Sequence, residues 1–430
     1  MADFDLIFRD VRLIDGSGVP SVMGDLAVTG DRIAAMGKLG GARGAQEIRG
    51  EGLALAPGFI DSHCHDDRAI LDMPLLEPKV SQGVTTVING NCGVSIAPVL
   101  PGRPPAPAPL SLFTAAGQIH FPDFGAYFQA LEDAPPAVNS ACLCGHSNLR
   151  HAVMDQLDRA ATRAEIDAMC DLLSAAMEAG ALGLSTGLFY EPATHAPTEE
   201  VIAIAQTLGR FGGLYVTHMR DEEDHVIASL EETFSIGASA GVPVVVSHHK
   251  CVSRPNHGKS KITLRMIDAA RRTQKVGLDA YPYAASSTVL QPERVGKCDR
   301  VVITWSEKMP EASGRDLSDI AAGMGCTPRE AAERLVPGGA VYFQMDEGDV
   351  RRILSYPDTM IGSDGIVQDR HPHPRAWGTF PRVLGHYSRD EGLFPLEQAI
   401  RKMTSLTAAT FGLRDRGLLR QGFFADLVLF

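Results

Sequence analysis

Nowhere does the chain carry the roughly 18 consecutive apolar residues that a membrane-spanning helix requires, so that class is set aside. Basic tracts are missing as well. The 40 lysines and arginines stand against 52 aspartates and glutamates, a net charge of −12. A chain this acidic lacks the cationic stripe that nucleic-acid phosphates demand. The eight cysteines are scattered. Cys142 and Cys144 are the only close pair, and their spacing suits neither a zinc ribbon nor a thioredoxin motif. A reduced, cytoplasmic protein is expected. The N-terminus places Asp3, Asp5, Arg9 and Asp10 in an alternating pattern, unlike a signal peptide.

What is present is ordinary globular composition, 44% hydrophobic and 21% charged, which excludes a disordered or fibrous chain. The 430 residues allow two or three domains of typical size, or one barrel that absorbs about 250 residues or more. With 43 glycines and 27 prolines, many tight turns between short elements are expected.

The first 55 residues read as a small β module. Runs at 5–8, 11–14, 25–28 and 32–36 are separated by Gly- and Asp-containing turns. From residue 56 apolar β-rich runs alternate with helical stretches, the signature of βα units and a parallel sheet. Eight such runs lie at 58–63, 84–88, 141–145, 182–186, 213–218, 243–248, 276–281 and 359–364. Residues 163–179, ending at Gly180, show a helical apolar stripe and a glycine stop. Eight parallel strands with outer helices predict an α/β fold of the (β/α)8 type over residues 56–415. Two connections are long. Residues 93–140 contain a proline-rich stretch at 101–109 that cannot be helical, and 284–358 exceed any normal crossover, which marks a lid insertion at about 284–345. Residues 416–430 return to strand character, and the closing Ala425-Asp426-Leu427-Val428-Leu429-Phe430 reads as the inside of a strand.

Metal-type ligands gather at the C-terminal ends of these runs, the end that faces the active site in such barrels. His63 and His65 close the first run, Cys92 follows the second, His218 closes the fifth, His248 and His249 the sixth, and Asp364 the eighth. A single such histidine is more often a satisfied core residue. Placement at four separate strand ends, with a fifth ligand after another, points instead to a metal site. Side chains alternate along a strand, so His63 and His65 share a face while Cys64 points away. By the same parity His248 and Lys250 face the mouth, and His249 faces the helix layer and is structural.

These residues carry a resemblance. Gly58-Phe59-Ile60-Asp61-Ser62-His63-Cys64-His65 is similar to the opening motif of the amidohydrolase superfamily. GVTTVINGNCG around Cys92, GLSTGLFY at 183–190, THMRDE at 217–222, SHHK at 247–250, DAYPYAASST at 279–288, IGSDG at 361–365 and HPRAWGTFPRVLG at 373–385 resemble the D-aminoacylases, the N-acyl-D-amino-acid deacylases. The resemblance implies a barrel plus a small β-sandwich made from both chain ends. It also implies a sandwich that normally continues past an ADLVLF-type strand, so the small domain is expected to be incomplete at residue 430. Cys92, His218 and His248 would hold one tight metal, with His63, His65 and Asp364 forming a weaker second position. The fourth run ends Ser185-Thr186-Gly187-Leu188 and offers no bridging lysine. One thiolate and two imidazoles suit Zn²⁺.

Zn²⁺ with an open position lowers the pKa of bound water to about 7 and polarises a carbonyl, the chemistry of amide hydrolysis. On the same resemblance Asp364 is the general base, and Lys250, Tyr281 and Arg375 meet the α-carboxylate. Arg294, at the start of the lid, is expected to pair with a side-chain carboxylate, which favours N-acyl-D-glutamate, with D-aspartate next. The expected partner is therefore a small-molecule N-acyl-D-amino acid, with no nucleic acid or membrane involved. Two other readings stay open: a cyclic-amide hydrolase of the hydantoinase or dihydroorotase kind, and a non-catalytic metal-binding barrel.

Overall fold

The computed structural model describes residues 2–113, 119–367 and 369–430. The first sheet is built from β1 (Phe4–Leu13), β2 (Val22–Thr29), β3 (Arg32–Gly37), β4 (Gly44–Arg49) and β5 (Ala54–Pro57). The two expected runs at 5–8 and 11–14 are one strand interrupted by a β-bulge between Phe8 and Val11. Asp10 takes a left-handed φ of 53° there, and its amide donates to Asp25 Oδ1 at 3.0 Å. The extra residue shifts the alternation, so Phe8, Val11 and Leu13 all reach the same small core with Leu26, Ile33 and Leu55. The bulge also lets one edge of β1 pair in parallel with two strands, β4 along its first half and β5 along its second.

Parallel strands follow. They are β6 (Phe59–Asp61), β7 (Val84–Asn89), β8 (Asn139–Cys142), β9 (Cys144–Gly145), β10 (Gly183–Gly187), β11 (Leu214–His218), β12 (Val244–Val246) and β13 (Val276–Ala280). An insertion comes next, with β14 (Ala285–Val289), β15 (Arg300–Ser306) and β16 (Gly338–Phe343), before β17 (Thr359–Ile361). β6–β7–β8 form one parallel set, and β9–β10–β11–β12–β13–β17 form another. Hydrogen bonds tie the two together at both edges. Leu182 N donates to Cys142 O at 2.8 Å, and Ser62 N to Ile361 O at 3.2 Å. Alternate residues feed separate cores. Ile60, Ile88, Leu143, Val216, Val245 and Met360 pack on one another, whereas Phe59, Val87, Leu184, Val244 and Ile361 join the larger cluster that includes the helices.

The insertion is more than a covering loop. β14 and β15 both pair antiparallel with β16, and helices Leu317–Met324 and Pro328–Leu335 close a separate core around Ile303, Leu317, Ile320 and Leu335. The start of the expected lid, Ala285–Val289, is thus a strand held in register. The proline-rich 101–109 stretch is irregular, followed by a short 3₁₀ turn at Leu110–Phe113 and a helix at Phe124–Asp133. Finally β18 (Leu427–Leu429) returns to pair antiparallel with β5, so the first sheet takes in Pro57, just beyond the expected edge at residue 55. Among the described residues, no helix is long and apolar enough to cross a membrane.

Helix Arg163–Ala179 shows why the periodic stretch behaves as read. Met169, Leu173, Ala176 and Met177 recur at helical spacing and are buried. Gly180 ends the helix with φ 113°. Its start is a reciprocal cap: Thr162 Oγ1 accepts from Glu165 N at 3.3 Å, and Glu165 Oε2 accepts from Thr162 N at 2.7 Å. Thr162→Ala is expected to lower unfolding free energy by about 1 kcal/mol. Denaturant melts of the two chains check this, and an unchanged midpoint contradicts the capping role.

Candidate metal centre and substrate cavity

The loop after β7 is shaped by its glycines. A Cβ on Gly90 would sit 2.0 Å from Leu143 O, and one on Gly93 would sit 2.6 Å from Gly187 N; both glycines have positive φ. Between them Cys92 is also left-handed, φ 54°, and its thiol turns inward. At the end of β10 a Cβ on Gly187 would meet the Cys92 carbonyl oxygen at 2.1 Å. The Cys92 loop therefore fills the strand-four position where a bridging lysine is absent.

The thiol lies at a junction. Cys92 Sγ is 3.3 Å from both His63 Nε2 and His248 Nε2. Asp364 Oδ1 stands 3.2 Å from His65 Nε2 and 3.5 Å from His63 Nε2. The His218 and His248 rings are 4.5 Å apart. Two groups of ligand atoms converge to within 4.8 Å: His63, His65, Cys92 and Asp364, and Cys92, His218 and His248. The six residues expected to hold metal are thus brought together, with Cys92 common to both groups rather than belonging to one. A soft thiolate, four imidazoles and one carboxylate form a donor set that fits Zn²⁺. The buried Nδ1 atom of His218 lacks a hydrogen-bond partner, as expected where the ring is turned toward an ion.

Backbone strain marks the same place. Seven non-glycine residues among those described have left-handed φ, and three of them are Cys92, His248 (35°) and Asp364 (49°).

The electrostatics of the metal-free site follow from crowding charges without water. Burial alone would raise the Cys92 thiol, but the His63 and His248 imidazoles outweigh it and hold the thiol well below its ordinary range. Burial disfavours a charged His65, yet hydrogen bonding to Asp364 and the Cys92 thiolate push it up to about 9. Burial would raise Asp364, and Arg375 overrides it, keeping the carboxyl well below the usual range. His218 is lowered by burial. His249 lies elsewhere: its Nε2 meets Thr263 Oγ1 at 2.8 Å, on the helix side, and burial lowers it to about 4.

Two residues not singled out in the sequence stand behind the ligands. Glu222 Oε1 is 3.1 Å from His248 Nδ1 and 2.7 Å from Lys250 Nζ, while its Oε2 is 3.6 Å from His218 Nε2. Asp279 Oδ1 accepts from His248 N at 2.9 Å and lies 3.4 Å from His63 Nδ1. Such partners orient metal-binding rings. Both sit inside quoted motifs, as the last residue of THMRDE and the first of DAYPY. Position in a motif was the only signal, because an acidic residue carries no spacing pattern of its own.

A cavity of about 760 Å³, open mouth included, lies over the cluster. Lys250 and Arg294 line it, together with Tyr190, Ser287 and Trp305. Tyr281 and Arg375 are not on its wall. Arg375 Nη1 pairs with Asp364 Oδ2 at 2.7 Å, and its Nη2 donates to Ser287 O at 2.9 Å. The Tyr281 ring supports both cations, 4.7 Å from the Arg375 guanidinium and 5.7 Å from Lys250 Nζ. Arg294 is buried between Phe189 and Tyr342, at 5.2 and 5.1 Å. Its hydrogen bonds go to the neutral carboxamides of Gln291 and Gln344, at 3.4 and 3.2 Å, and its Nε has none.

Comparison with known proteins places this arrangement. The amidohydrolase family model matches residues 46–289 and 265–430. A D-aminoacylase of Alcaligenes xylosoxydans xylosoxydans is 55% identical over 427 residues, 99% of this chain and 88% of that one. From the same organism, an N-acyl-D-aspartate deacylase is 52% identical, over 100% of this chain and 86% of its own, and an N-acyl-D-glutamate deacylase 46%, over 99% and 87%. Among solved structures, a D-aminoacylase described with a binuclear metal center superposes with a TM-score of 0.96 at 54% identity, over 99% of this chain and 90% of that one. The N-acyl-D-glutamate deacylase of Bordetella bronchiseptica, complexed with zinc and a phosphonate inhibitor, gives the same TM-score and coverage at 47% identity. The chain is therefore an amidohydrolase, a member of the D-aminoacylase family of N-acyl-D-amino-acid deacylases.

Proposed function

We propose that this chain is a zinc-dependent enzyme that hydrolyses the amide bond of N-acyl-D-amino acids, favours an acidic side chain, and prefers D-glutamate. The D-configuration and linear amide are carried over from the relatives' named activities. On this reading the parallel strands form a (β/α)8 barrel across residues 56–415, completed by a small β domain from residues 1–55 and 416–430, and the enzyme works in the cytoplasm.

Cys92, His218 and His248 would hold the tight zinc, and His63, His65 and Asp364 a weaker second position. Bound zinc supplies carbonyl polarisation and an activated water. The chain's own groups do the rest. Asp364, kept ionised by Arg375, takes the water's proton and returns it to the leaving nitrogen. Lys250, on the cavity wall, binds the α-carboxylate; Arg375, behind the wall and paired with Asp364, joins it by turning from that pair, and the Tyr281 ring lies beside both cations. Glu222 fixes Lys250 and the His248 ring in place.

One observation carries the acidic preference. Lys250 and Arg375 each have a carboxylate at 2.7 Å. Arg294, although buried, has its nearest carboxylate partner among the described residues, Glu223, at 4.0 Å, and Lys297 holds that carboxylate at 2.7 Å. A guanidinium on the cavity wall whose charge is so poorly matched favours a ligand that brings an anion. D-Glutamate is preferred over D-aspartate because an arginine on the lid then meets a side chain of some length.

Cys92→Ala should lose zinc and activity while the chain still folds; a mutant with stoichiometric zinc by elemental analysis contradicts the shared-thiolate assignment. Because His65 is protonated below about 9 in the metal-free chain, zinc must displace that proton to enter the second position. Affinity there should therefore rise with pH up to about 9, by roughly tenfold per unit for each proton released.

Asp364→Asn should cut kcat by about a hundredfold to ten-thousandfold with the tight zinc still bound. A mutant within threefold of the parent excludes Asp364 as proton carrier. Arg294→Met should lose about a hundredfold in kcat/KM on N-acetyl-D-glutamate, the effect of stranding a carboxylate, and little on N-acetyl-D-methionine. Arg375→Met should impair both substrates. Equal losses on both substrates for Arg294→Met would remove that residue as selector.

A further inference from the structure

Lys79 is 0% exposed, and the chemistry above does not use it. It stands on the short helix Glu77–Val80, between β6 and β7, where its ammonium reaches two segments separated by some three hundred residues. Nζ donates to Asp61 Oδ2 at 2.7 Å and to Ser363 Oγ at 2.6 Å, and lies 3.3 Å from Asp66 Oδ2. Asp61 continues the bridge: its Oδ1 accepts from Ser363 N at 2.8 Å and from His63 N at 3.3 Å. Gly365 N donates to Ser363 Oγ at 3.1 Å, and Asp364 N donates to His63 O at 2.7 Å. The residues on both sides of Asp364 are thus clamped to the segment that carries His63.

A buried ion cluster is a poor source of stability, since apolar side chains of similar volume often serve as well. What this cluster supplies is geometry. Asp364 sits in a left-handed conformation, which aspartate enters more readily than most non-glycine residues but which still costs energy that its surroundings offset. Lys79, through Ser363 and Asp61, supplies that offset. Without it the turn relaxes, and the Asp364 carboxylate leaves its place beside His63 and His65. Among the described residues, no hydrogen bond or ion pair joins Cys92, His218 or His248 to Lys79, Asp61 or Ser363; they meet the clamp only at the His63 ring.

We propose that Lys79 is a positioning residue that locks the His63 segment to the Asp364 turn and thereby sets the His63–His65–Asp364 position. This rests on the metal reading above, and the experiment separates the two. The full-length chain is stripped of metal and titrated with zinc, alone and as the variants Ser363→Ala and Lys79→Met. Ser363→Ala removes the hydroxyl that Lys79 grips without stranding a charge, so it decides the matter even if Lys79→Met does not fold.

In Ser363→Ala the first zinc equivalent should bind within about threefold of the parent, and the second should weaken by roughly tenfold to a hundredfold, the scale for a lost outer partner. With one equivalent of zinc, kcat should fall by at least about tenfold, with KM within about threefold. If the parent binds two equivalents and Ser363→Ala binds the second as tightly, the clamp proposal is overturned while the metal reading stands. A parent chain that does not take up a second equivalent overturns both the second metal position and the clamp.

Discussion

The structure turns on one buried thiolate. Cys92 is almost wholly buried, which disfavours its charged form, and two imidazoles restore that form. Everything near it follows from placing opposite charges at short range where water cannot screen them. Glu222 answers Lys250 and the His218–His248 pair, Asp364 answers His65 and Arg375, and Asp279 holds the His248 backbone. Each carboxylate touches a ligand and a cation, or a ligand's own backbone. The overall charge of −12 is therefore no obstacle to an anionic substrate, because the acidic groups at the site are already engaged.

Holding that thiolate requires a backbone that ordinary residues resist. Cys92, His248 and Asp364 all sit at positive φ, and each lies where a β-strand has just ended. Strands bring these residues to one cluster, and each ligand follows its strand end by two or three residues. Glycines 90, 93 and 187 clear the space in which the Cys92 loop meets β10. Strain of this kind persists only when the surrounding packing over-determines it. The two parallel strand sets and the buried Lys79 cluster supply that packing.

The insertion between β13 and β17 plays a different part. It has its own sheet and its own core, so it presents Arg294 from a structured element. Stacking between Phe189 and Tyr342 holds the guanidinium while neutral carboxamides take its hydrogens. A residue fixed in this way keeps its own charge incompletely answered. Val94, Pro109 and Phe113 add apolar groups to the lining of the cavity.

Much of this was legible from residues alone, for a reason that can be stated. Strand periodicity of two survives to the strand end, so His63 and His65 were separable from Cys64, and His248 from His249. Helical spacing and a glycine stop placed 163–179 to the residue. What sequence could not determine depends on segments far apart in the chain meeting in space. The sharing of Cys92 between two ligand groups, the pairing of Arg375 with Asp364 and the support of both cations by Tyr281 are such meetings. So are the roles of Glu222 and Lys79, whose residue types suggest only a solvated surface charge until burial and partners are known. Local chemistry is written in neighbouring residues, and the tertiary structure alone decides which charges are left to answer one another once water is gone.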